Sequence, residues 1–400
     1  MGRLSYGMVS LSLMLAVKET SGSYAVAGSV LALFGLTSVF LSPARAALID
    51  RHGPRRALPP MTGAYALLLA ALAHATWRPG ASQLTLAVLA MAAGACTPPL
   101  GPVMRTLWSR LLPDRRLLQR AYSLDSVAEE LLLVSGPLLV GLLMRFAAPA
   151  AGVAVSAALV LTGCLALVSS PAVRAMPGRA RAVARPVPDG HGGQEGQEGQ
   201  EGQAERKRRE RKRLRVTPDL RRAVLASAGV GLCLGALELL AVAFAEQRHQ
   251  AAAVAWVLAA LSAGSAAGGL AYGAVSWRAP ERLRLPVLTA ALALILAAAG
   301  LAPGLLVFTA VVGVAGLFVA PALTSAYLLA DQAAAPESRT QAGAWVNTAL
   351  NAGVSGGTAA VGLLVGRLPL AACFAVAAAP ALLCAAGALY GAGGLRRSTP

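Results

Sequence analysis

Charged and aromatic residues are scarce in this 400-residue chain: 13% of its residues are charged and 5% are aromatic, whereas 56% are hydrophobic. So low a charge content excludes an ordinary soluble globular protein. The alternating ten-residue pattern of a membrane β-barrel is also absent. Backbone groups inside a bilayer must all be hydrogen-bonded, which only helices and closed barrels achieve. With the barrel excluded, the segments that cross the membrane must be helices. The sequence therefore predicts an all-α membrane protein that crosses the bilayer several times.

Cysteine and histidine are also few, with five and four copies. Each cysteine lies in an apolar run without a Cys-x-x-Cys pair, which indicates packing residues rather than disulfides or metal ligands. No Gly-x-x-x-x-Gly-Lys-Ser/Thr motif is present, which excludes ATP binding of that kind. Gly353-Val-Ser-Gly-Gly357 fits a hydrolase pattern but lies in a small-residue helix, without the strand-to-helix turn that the pattern needs. We therefore expect no enzyme activity, no cofactor and no metal.

Apolar runs long enough to cross a bilayer alternate with short polar stretches. A first candidate, Leu4 to Val17, is too short for a full crossing. Residues 172–218 carry prolines, a Gly-Gln-Glu repeat and a basic run, and we expect a disordered cytoplasmic linker there. The chain is thus predicted to hold two pseudo-symmetric six-helix bundles, 1–171 and 219–400. The eleven full-length runs are 24–44, 57–76, 84–104, 122–144, 149–170, 222–245, 251–275, 285–302, 304–329, 341–365 and 368–392.

Basic residues are distributed unequally between alternate loops. With both termini and the linker placed in the cytoplasm, 30 of the 35 Lys and Arg residues fall on the cytoplasmic side. The positive-inside rule therefore predicts a multi-pass protein of the cytoplasmic membrane. The net charge of +17 reflects this topology and does not indicate a nucleic-acid partner. The basic run 206–215 is interpreted either as a solvated anchor or as a contact for anionic lipid headgroups.

Charge is concentrated between the second and third runs, in the stretch Ala46-Ala-Leu-Ile-Asp-Arg-His-Gly-Pro-Arg-Arg-Ala-Leu58. Its charges must lie in water at a membrane face, so we expect a loop there. Together with the two sets of six helices, this stretch resembles the signature of the major facilitator superfamily of secondary transporters, Gly-x-Leu-x-Asp-Arg-x-Gly-Arg-Arg/Lys-x-x-Leu. The chain departs from that signature at Ala46 and Pro54. The matching residues are Leu48, Asp50, Arg51, Gly53, Arg55 and Leu58.

The resemblance implies a role for this stretch as a latch between the two bundles in the outward-open state. In the family, the signature Asp lies at the positive N-terminal end of a helix in the second half, as the helix dipole favours. By resemblance, Asp50 should lie against the start of the eleventh helix, near Ser338 to Ala342. The corresponding second-half loop, Gly273 to Arg284, keeps Gly273 and several arginines but lacks the Asp, and is a degenerate copy at best. The alternative is a basic turn that only fixes topology.

Two further segments resemble parts of family members. The first is Arg3-Leu-Ser-Tyr-Gly-Met8, which in related transporters lies inside the first helix. The resemblance therefore implies that the first helix lacks its cytoplasmic half, through truncation or a misassigned start. In the fifth helix, Ser135-Gly-Pro-Leu-Leu-Val-Gly141 resembles the Gly-Pro-x-x-Gly-Gly motif of the family's antiporters. Gly136, Pro137 and Gly141 match that motif, while Val140 departs from it. The alternative is an ordinary kink that allows close packing, and the match favours export over uptake.

Polar residues inside the predicted helices are the candidates for proton coupling or substrate contact, because a carboxylate in low dielectric can take up and release protons. Asp125 is expected to be mainly structural, since it lies near the start of its helix and can pair with Arg105 or Arg120. Glu129 and Glu238 are the stronger coupling candidates, and Glu130 must point away from Glu129. The candidate cavity residues of the eleventh helix are Trp345, Asn347 and Asn351. The alternative role for these residues is packing between helices.

An arginine half-way along the fourth helix is common in the family, whereas Arg105 lies near the cytoplasmic end of that helix. That motif is therefore absent or displaced. We nevertheless predict a monomeric transporter that exports a small, partly apolar compound in exchange for protons by alternating access. An uptake permease for a small metabolite and a receptor or scaffold that does not transport remain as alternatives.

Overall fold

A computed structural model describes residues 2–77, 80–174, 214, 216–250 and 253–394, and these residues form α-helices joined by short connections. We call the helices before the undescribed segment the first half and those after it the second half. The first half contains α1 (Leu4–Ser21), α2 (Tyr24–Phe40), α3 (Ser42–His52), α4 (Pro54–Trp77), α5 (Gln83–Cys96), α6 (Leu100–Leu111), α7 (Arg115–Leu143), α8 (Pro149–Ser169) and α9 (Pro171–Arg174). The second half contains α10 (Pro218–Gln247), α11 (Val254–Ala274), α12 (Glu281–Ala299), α13 (Leu305–Ala333), α14 (Arg339–Leu364) and α15 (Leu370–Gly394).

The predicted all-α membrane class is confirmed, and helices occupy each predicted crossing. In the described part of the chain, nine segments are long and apolar enough to span a bilayer, and α2 with α3 adds a tenth as one bent span. The helices α1 and α14 lie in their predicted places but fall outside these ten. Nearly all of the predicted linker, including most of the basic run 206–215, lies outside the described residues.

The prediction of a loop from Ala46 to Leu58 is wrong, because two helices almost meet within this stretch. Helix α3 continues to His52 and α4 begins at Pro54, so one residue separates them. That residue, Gly53, has φ 82° and ψ 151°, a conformation that is essentially restricted to glycine. Pro54 departs from the family signature but fits the first position of a helix, where its missing N–H has no partner to lose.

A break divides the fourth crossing between α5 and α6, at residues 97–99, which read Thr-Pro-Pro. The two prolines leave carbonyls at the end of α5 without helical donors. Arg45 of α3 donates from Nη1 to the carbonyls of Gly94 at 2.7 Å and Ala95 at 2.9 Å, and from Nη2 to that of Ser38 at 2.5 Å. One buried guanidinium therefore fixes both this break and the bend between α2 and α3.

Apolar side chains form two separate cores and one shared core. One cluster is drawn from first-half residues between Val9 and Cys164, and another from second-half residues between Val230 and Ala381. A third joins Tyr122 of α7 to residues of α10, α12, α13 and α14. Each half thus buries its own apolar surface, and the halves share an interface at one end.

The interface between the halves lies on the side where α3 and α6 end and where α12 and α14 begin. We call this side the basic face, because its connections carry most of the described arginines. Among the described residues, every hydrogen bond between the halves joins residues 39–130 to residues 265–348, which lie in the ends of the helices nearest this face. The structure therefore has its basic face closed.

Candidate transport site and gate

The signature acid of α3 caps a helix of the opposite half. Asp50 Oδ2 accepts the backbone N–H of Gln341 at 2.9 Å. Because α14 begins at Arg339, this N–H is one of the orphan donors of its first turn. The carboxylate also faces the positive end of the α14 dipole. A cavity of about 10 Å³, the size of one water, lies beside this contact and is lined by Pro54, Thr106 and Thr340 among others.

The other signature residues lie around this contact in different environments. Leu58 is fully buried in the first-half core, while Leu48 is 45% exposed. Arg51 and Arg55 are exposed at the basic face, on either side of the turn at Gly53. The stretch therefore combines a buried anchor, a glycine turn and exposed charges around one acid that crosses to the second half.

Further polar contacts close the same region, and sequence reasoning named none of their residues as site residues. Arg110 Nη2 donates to the carbonyl of Pro336 at 3.3 Å, and Arg339 Nη1 donates to Ser109 Oγ at 3.2 Å. The hydroxyls of Thr106 and Thr340 are 3.2 Å apart and are buried. All of these contacts join α6 to the start of α14 or to the residues just before it, so α6 closes the basic face together with α3.

A cluster of four charges lies deeper in the first half, around Arg105 of α6. Arg105 Nε is 3.1 Å from Asp125 Oδ2, and Nη2 pairs with Glu129 Oε2. Arg3 Nη1 binds the other Asp125 oxygen at 2.7 Å, and its Nη2 donates to the carbonyl of Gly101 at 3.2 Å. Arg3 therefore pairs inside the helix bundle. Asp125 has a structural partner on each side.

Arg105 also contacts the second half. Its guanidinium lies over the Tyr327 ring of α13, with Cζ 3.7 Å from the ring centroid. Tyr122 donates to the Arg105 carbonyl at 3.1 Å. Arg105 is 3% exposed, so these interactions act out of bulk water, where cation–π and ionic contacts are strong. One buried arginine thus connects two first-half carboxylates to a second-half ring.

Glu129 is the more exposed of the two carboxylates in the cluster. Its side chain is 39% exposed, against 8% for Asp125. Leu131 and Leu138, which are 63% and 69% exposed, lie about 180–200° around α7 from Glu129 at 100° per residue. The lipid-facing side of α7 is therefore opposite Glu129. At 1.5 Å per residue, Glu129 lies about 21 Å along this helix from Arg115, near its middle.

The two remaining candidate acids are placed differently. Glu130 Oε1 accepts from Ser265 Oγ of α11 at 2.8 Å, which makes it a contact between the halves. Glu238 is exposed on α10 and, within the described residues, has no hydrogen-bond or ion-pair partner. Glu129 and Glu130 therefore do point in different directions, and the structure does not bring Glu238 into the Arg105 cluster.

The candidates on α14 divide into linked and exposed residues. Asn347 Oδ1 accepts from the Tyr327 hydroxyl at 3.5 Å, which connects it to the Arg105 cluster. Asn351 donates to the Asn347 carbonyl at 2.8 Å within its own helix. Trp345 is 43% exposed. Only Asn347 of these three is joined to the central charges.

The first glycine of the antiporter-like motif, Gly136, lies where α7 crosses α1. A Cβ added to Gly136 of α7 would overlap the backbone of Gly7 in α1, and a Cβ added to Gly7 would overlap α7 in return. Pro137 lies inside α7 and is exposed, and a Cβ added to Gly141 would meet nothing within 4 Å. Gly136 therefore serves close approach, whereas Gly141 has no packing reason to be glycine.

A family model with the description Major Facilitator Superfamily matches residues 1–307, more than half of the chain. The chain belongs to this superfamily. Among curated proteins, none matches the sequence. Because members of the superfamily are transporters, the chain is a multi-pass membrane protein with a transporter fold and is not an enzyme.

Solved structures of the superfamily share this fold over nearly the whole chain. A bacterial homologue of the iron transporter ferroportin in its outward-facing state has a TM-score of 0.70 at 13% identity and covers 98% of this chain and 96% of its own. The human organic anion transporter MFSD10 (TETRAN) has a TM-score of 0.65 at 16% identity and covers 96% of this chain and 95% of its own. The E. coli fucose:proton symporter FucP has a TM-score of 0.59 at 14% identity, with 97% of each chain covered. These likenesses show the fold alone.

Within this superfamily fold, sequence reasoning named Arg105 as one of two candidate partners of Asp125, but it missed Arg3 and Tyr327, which complete the site from other helices. Tyr327 and Arg3 gave no signal, because a lone tyrosine and a lone arginine fit many roles. Arg105 did carry a signal, as an arginine in an apolar span is costly unless it is paired. Asp125 and Glu129 are four residues apart on one helix face, so a single arginine can bind both carboxylates through its guanidinium.

Proposed function

We propose that this chain is a secondary active transporter that exports a small, partly apolar compound in exchange for protons. One observation carries the proposal: Glu129 lies half-way along α7, is partly exposed on the side opposite the exposed leucines of that helix, and pairs with an arginine that touches both halves. The gate that Asp50 forms with α14 and the Gly136-Pro137 pair are consistent with it.

The proposed coupling follows from the charge balance of the cluster. Arg3 and Arg105 offset Asp125 and Glu129, so the four charges of the cluster sum to zero. A proton on Glu129 removes one negative charge and leaves Arg105 with less compensation. Because Arg105 also lies over Tyr327 of the second half, we expect that change to alter how the halves meet. Proton binding and substrate exchange then become linked through one arginine.

The proposed direction of transport is outward. The closed basic face corresponds to a state that opens on the opposite side, and arginine-rich connections favour the cytoplasm for the basic face. Asp50 is proposed to latch this state, and substrate is proposed to reach Glu129, Glu238 and Asn347 once the latch opens. The solved structures include one named as a fucose:proton symporter and one named as an organic anion transporter, so they favour neither a direction nor a substrate.

The proposed organisation is a monomer in the cytoplasmic membrane with both termini inside. Residues 1–171 and 219–400 form its two moving bundles, and 172–218 its linker. The separate apolar cores of the two halves support this division.

The proposal is tested by efflux of fluorescent compounds from a pump-deficient bacterial host, with and without a proton uncoupler. Faster efflux than in the empty host, abolished by the uncoupler, supports proton-driven export. Accumulation of the compound would instead indicate an uptake permease. A lack of flux for a broad compound panel, with the protein present in the membrane, would favour a receptor or scaffold.

A further inference from the structure

The start of α7 carries a side chain that closes the gate on its other side. Gln119 is 8% exposed and contacts α11 of the second half. Its Nε2 donates to the carbonyl of Tyr272 at 2.8 Å and to that of Val275 at 3.1 Å. Since α11 ends at Ala274, these carbonyls belong to the helix end that lacks helical donors. A first-half amide therefore caps a second-half helix.

The amide of Gln119 is held in one orientation. Arg284 Nη1 donates to its Oε1 at 3.1 Å, so the amide nitrogen must face the α11 carbonyls. Arg284 is itself held by Glu281 at 3.0 Å and lies over the rings of Tyr272 and Trp277. Because Arg284 belongs to α12 of the second half, its hydrogen bond to Gln119 is a third contact between the halves at this point.

Two glycines near the end of α11 let α7 approach it closely. A Cβ added to Gly273 would lie 2.9 Å from Ser123 Cβ, and one added to Gly269 would lie 2.9 Å from Val127 Cγ2. The glycine that survives in the degenerate second-half loop therefore has a reason in this contact.

We propose that Gln119 is the second latch of the gate and a positioning residue for transport. Asp50 supplies an acceptor to the N-terminus of α14, and Gln119 supplies donors to the C-terminus of α11. Both side chains come from the first half, and each matches the polarity of the helix end that it caps. The gate therefore has one charged and one neutral latch. This inference rests on the proposed alternation between the halves, but its readout needs no substrate.

The test follows opening of the basic face with one reporter cysteine. The five native cysteines are replaced by serine, and Thr324→Cys is introduced. Thr324 is 0% exposed and lies 3.4 Å from Ser126 of the first half, so a thiol reagent reaches it only when the halves separate. The alkylation rate by a small methanethiosulfonate, in inside-out vesicles, then reports the open fraction.

Gln119→Met is the diagnostic variant, because it keeps the length of the side chain but loses both donors to α11 and the acceptor for Arg284. We expect alkylation about tenfold faster, the effect of losing one to two hydrogen bonds between the halves. Gln332→Met, the same change at an exposed position near the basic face, should leave the rate unchanged. Gln119→Leu, which loses the same hydrogen bonds, should reproduce the rise.

The outcomes separate the two proposals. Faster alkylation in both Gln119 variants but not in Gln332→Met supports the second latch, even if no transported compound is found. An unchanged rate in Gln119→Met or Gln119→Leu, while Asp50→Asn raises it, overturns the second latch and leaves alternation standing. An unchanged rate in all three variants overturns the second latch and the proposed alternation together.

Discussion

Replacing Asp50 with asparagine is expected to open the basic face more often. Asparagine has nearly the same shape as aspartate and retains an acceptor oxygen for the N–H of Gln341. What the change removes is the negative charge at the start of α14. The variant therefore tests electrostatic capping rather than packing.

The magnitude follows from the contact at the start of α14. A hydrogen bond to a charged group contributes about 1.5–3 kcal/mol, against about 0.5–1.5 kcal/mol for a neutral one. Loss of charge at a partly buried helix N-terminus removes about 0.3–2 kcal/mol, which is the same electrostatic effect seen from the helix. A net loss of about 1–2 kcal/mol shifts the closed-to-open ratio about 5- to 30-fold.

The assay is alkylation of the Thr324→Cys reporter in the cysteine-free background, which should accelerate by that factor. Asp219→Asn is the matched control. Asp219 lies in the first turn of α10 and pairs with Arg222 and Arg282 of its own half. An unchanged rate in Asp50→Asn, or an equal acceleration in Asp219→Asn, would refute the latch. Normal transport by Asp50→Asn would refute it as well.

Three further changes test the centre, a helix crossing and the turn. Arg105→Lys keeps the charge but loses the planar fork, so transport should fall about tenfold or more while the protein still folds; normal transport would show that bridging of the two carboxylates is unimportant. Gly136→Leu should destabilise the protein by about 1–3 kcal/mol in thermal unfolding in detergent. Gly141→Leu, which faces open space, should be near neutral, and equal losses would contradict the crossing. Gly53→Ala should cost about 1–3 kcal/mol because its backbone conformation is restricted to glycine; unchanged unfolding would contradict that strain.

Much of the fold follows from sequence because bilayer length and apolarity set the helices directly. The run 304–329 became α13 and the run 149–170 became α8, since an uninterrupted apolar segment has no other stable form in lipid. The charged stretch Ala46 to Leu58 was misjudged for the opposite reason. Charge placed it at a membrane face correctly, but charge does not exclude helix, and only the backbone of Gly53 separates α3 from α4.

The site was less predictable because its partners come from distant parts of the chain. Glu129 was chosen from its depth, and its four-residue spacing from Asp125 is visible in the sequence. That Arg3 and Tyr327 complete the cluster depends on how α1 and α13 pack, which no local pattern encodes. Gln119 was invisible for the same reason, since a lone glutamine near a helix start is commonly a solvated residue.

The central claim is that export and proton uptake are one coupled process through Glu129. It is tested most directly with purified protein in liposomes that contain a pH-sensitive dye, using a compound identified by the efflux assay. A gradient of that compound should drive protons in the opposite direction, and Glu129→Gln should abolish proton movement while the compound still binds. Protons that move with the compound, a compound flux without protons, or normal proton movement in Glu129→Gln would contradict the account.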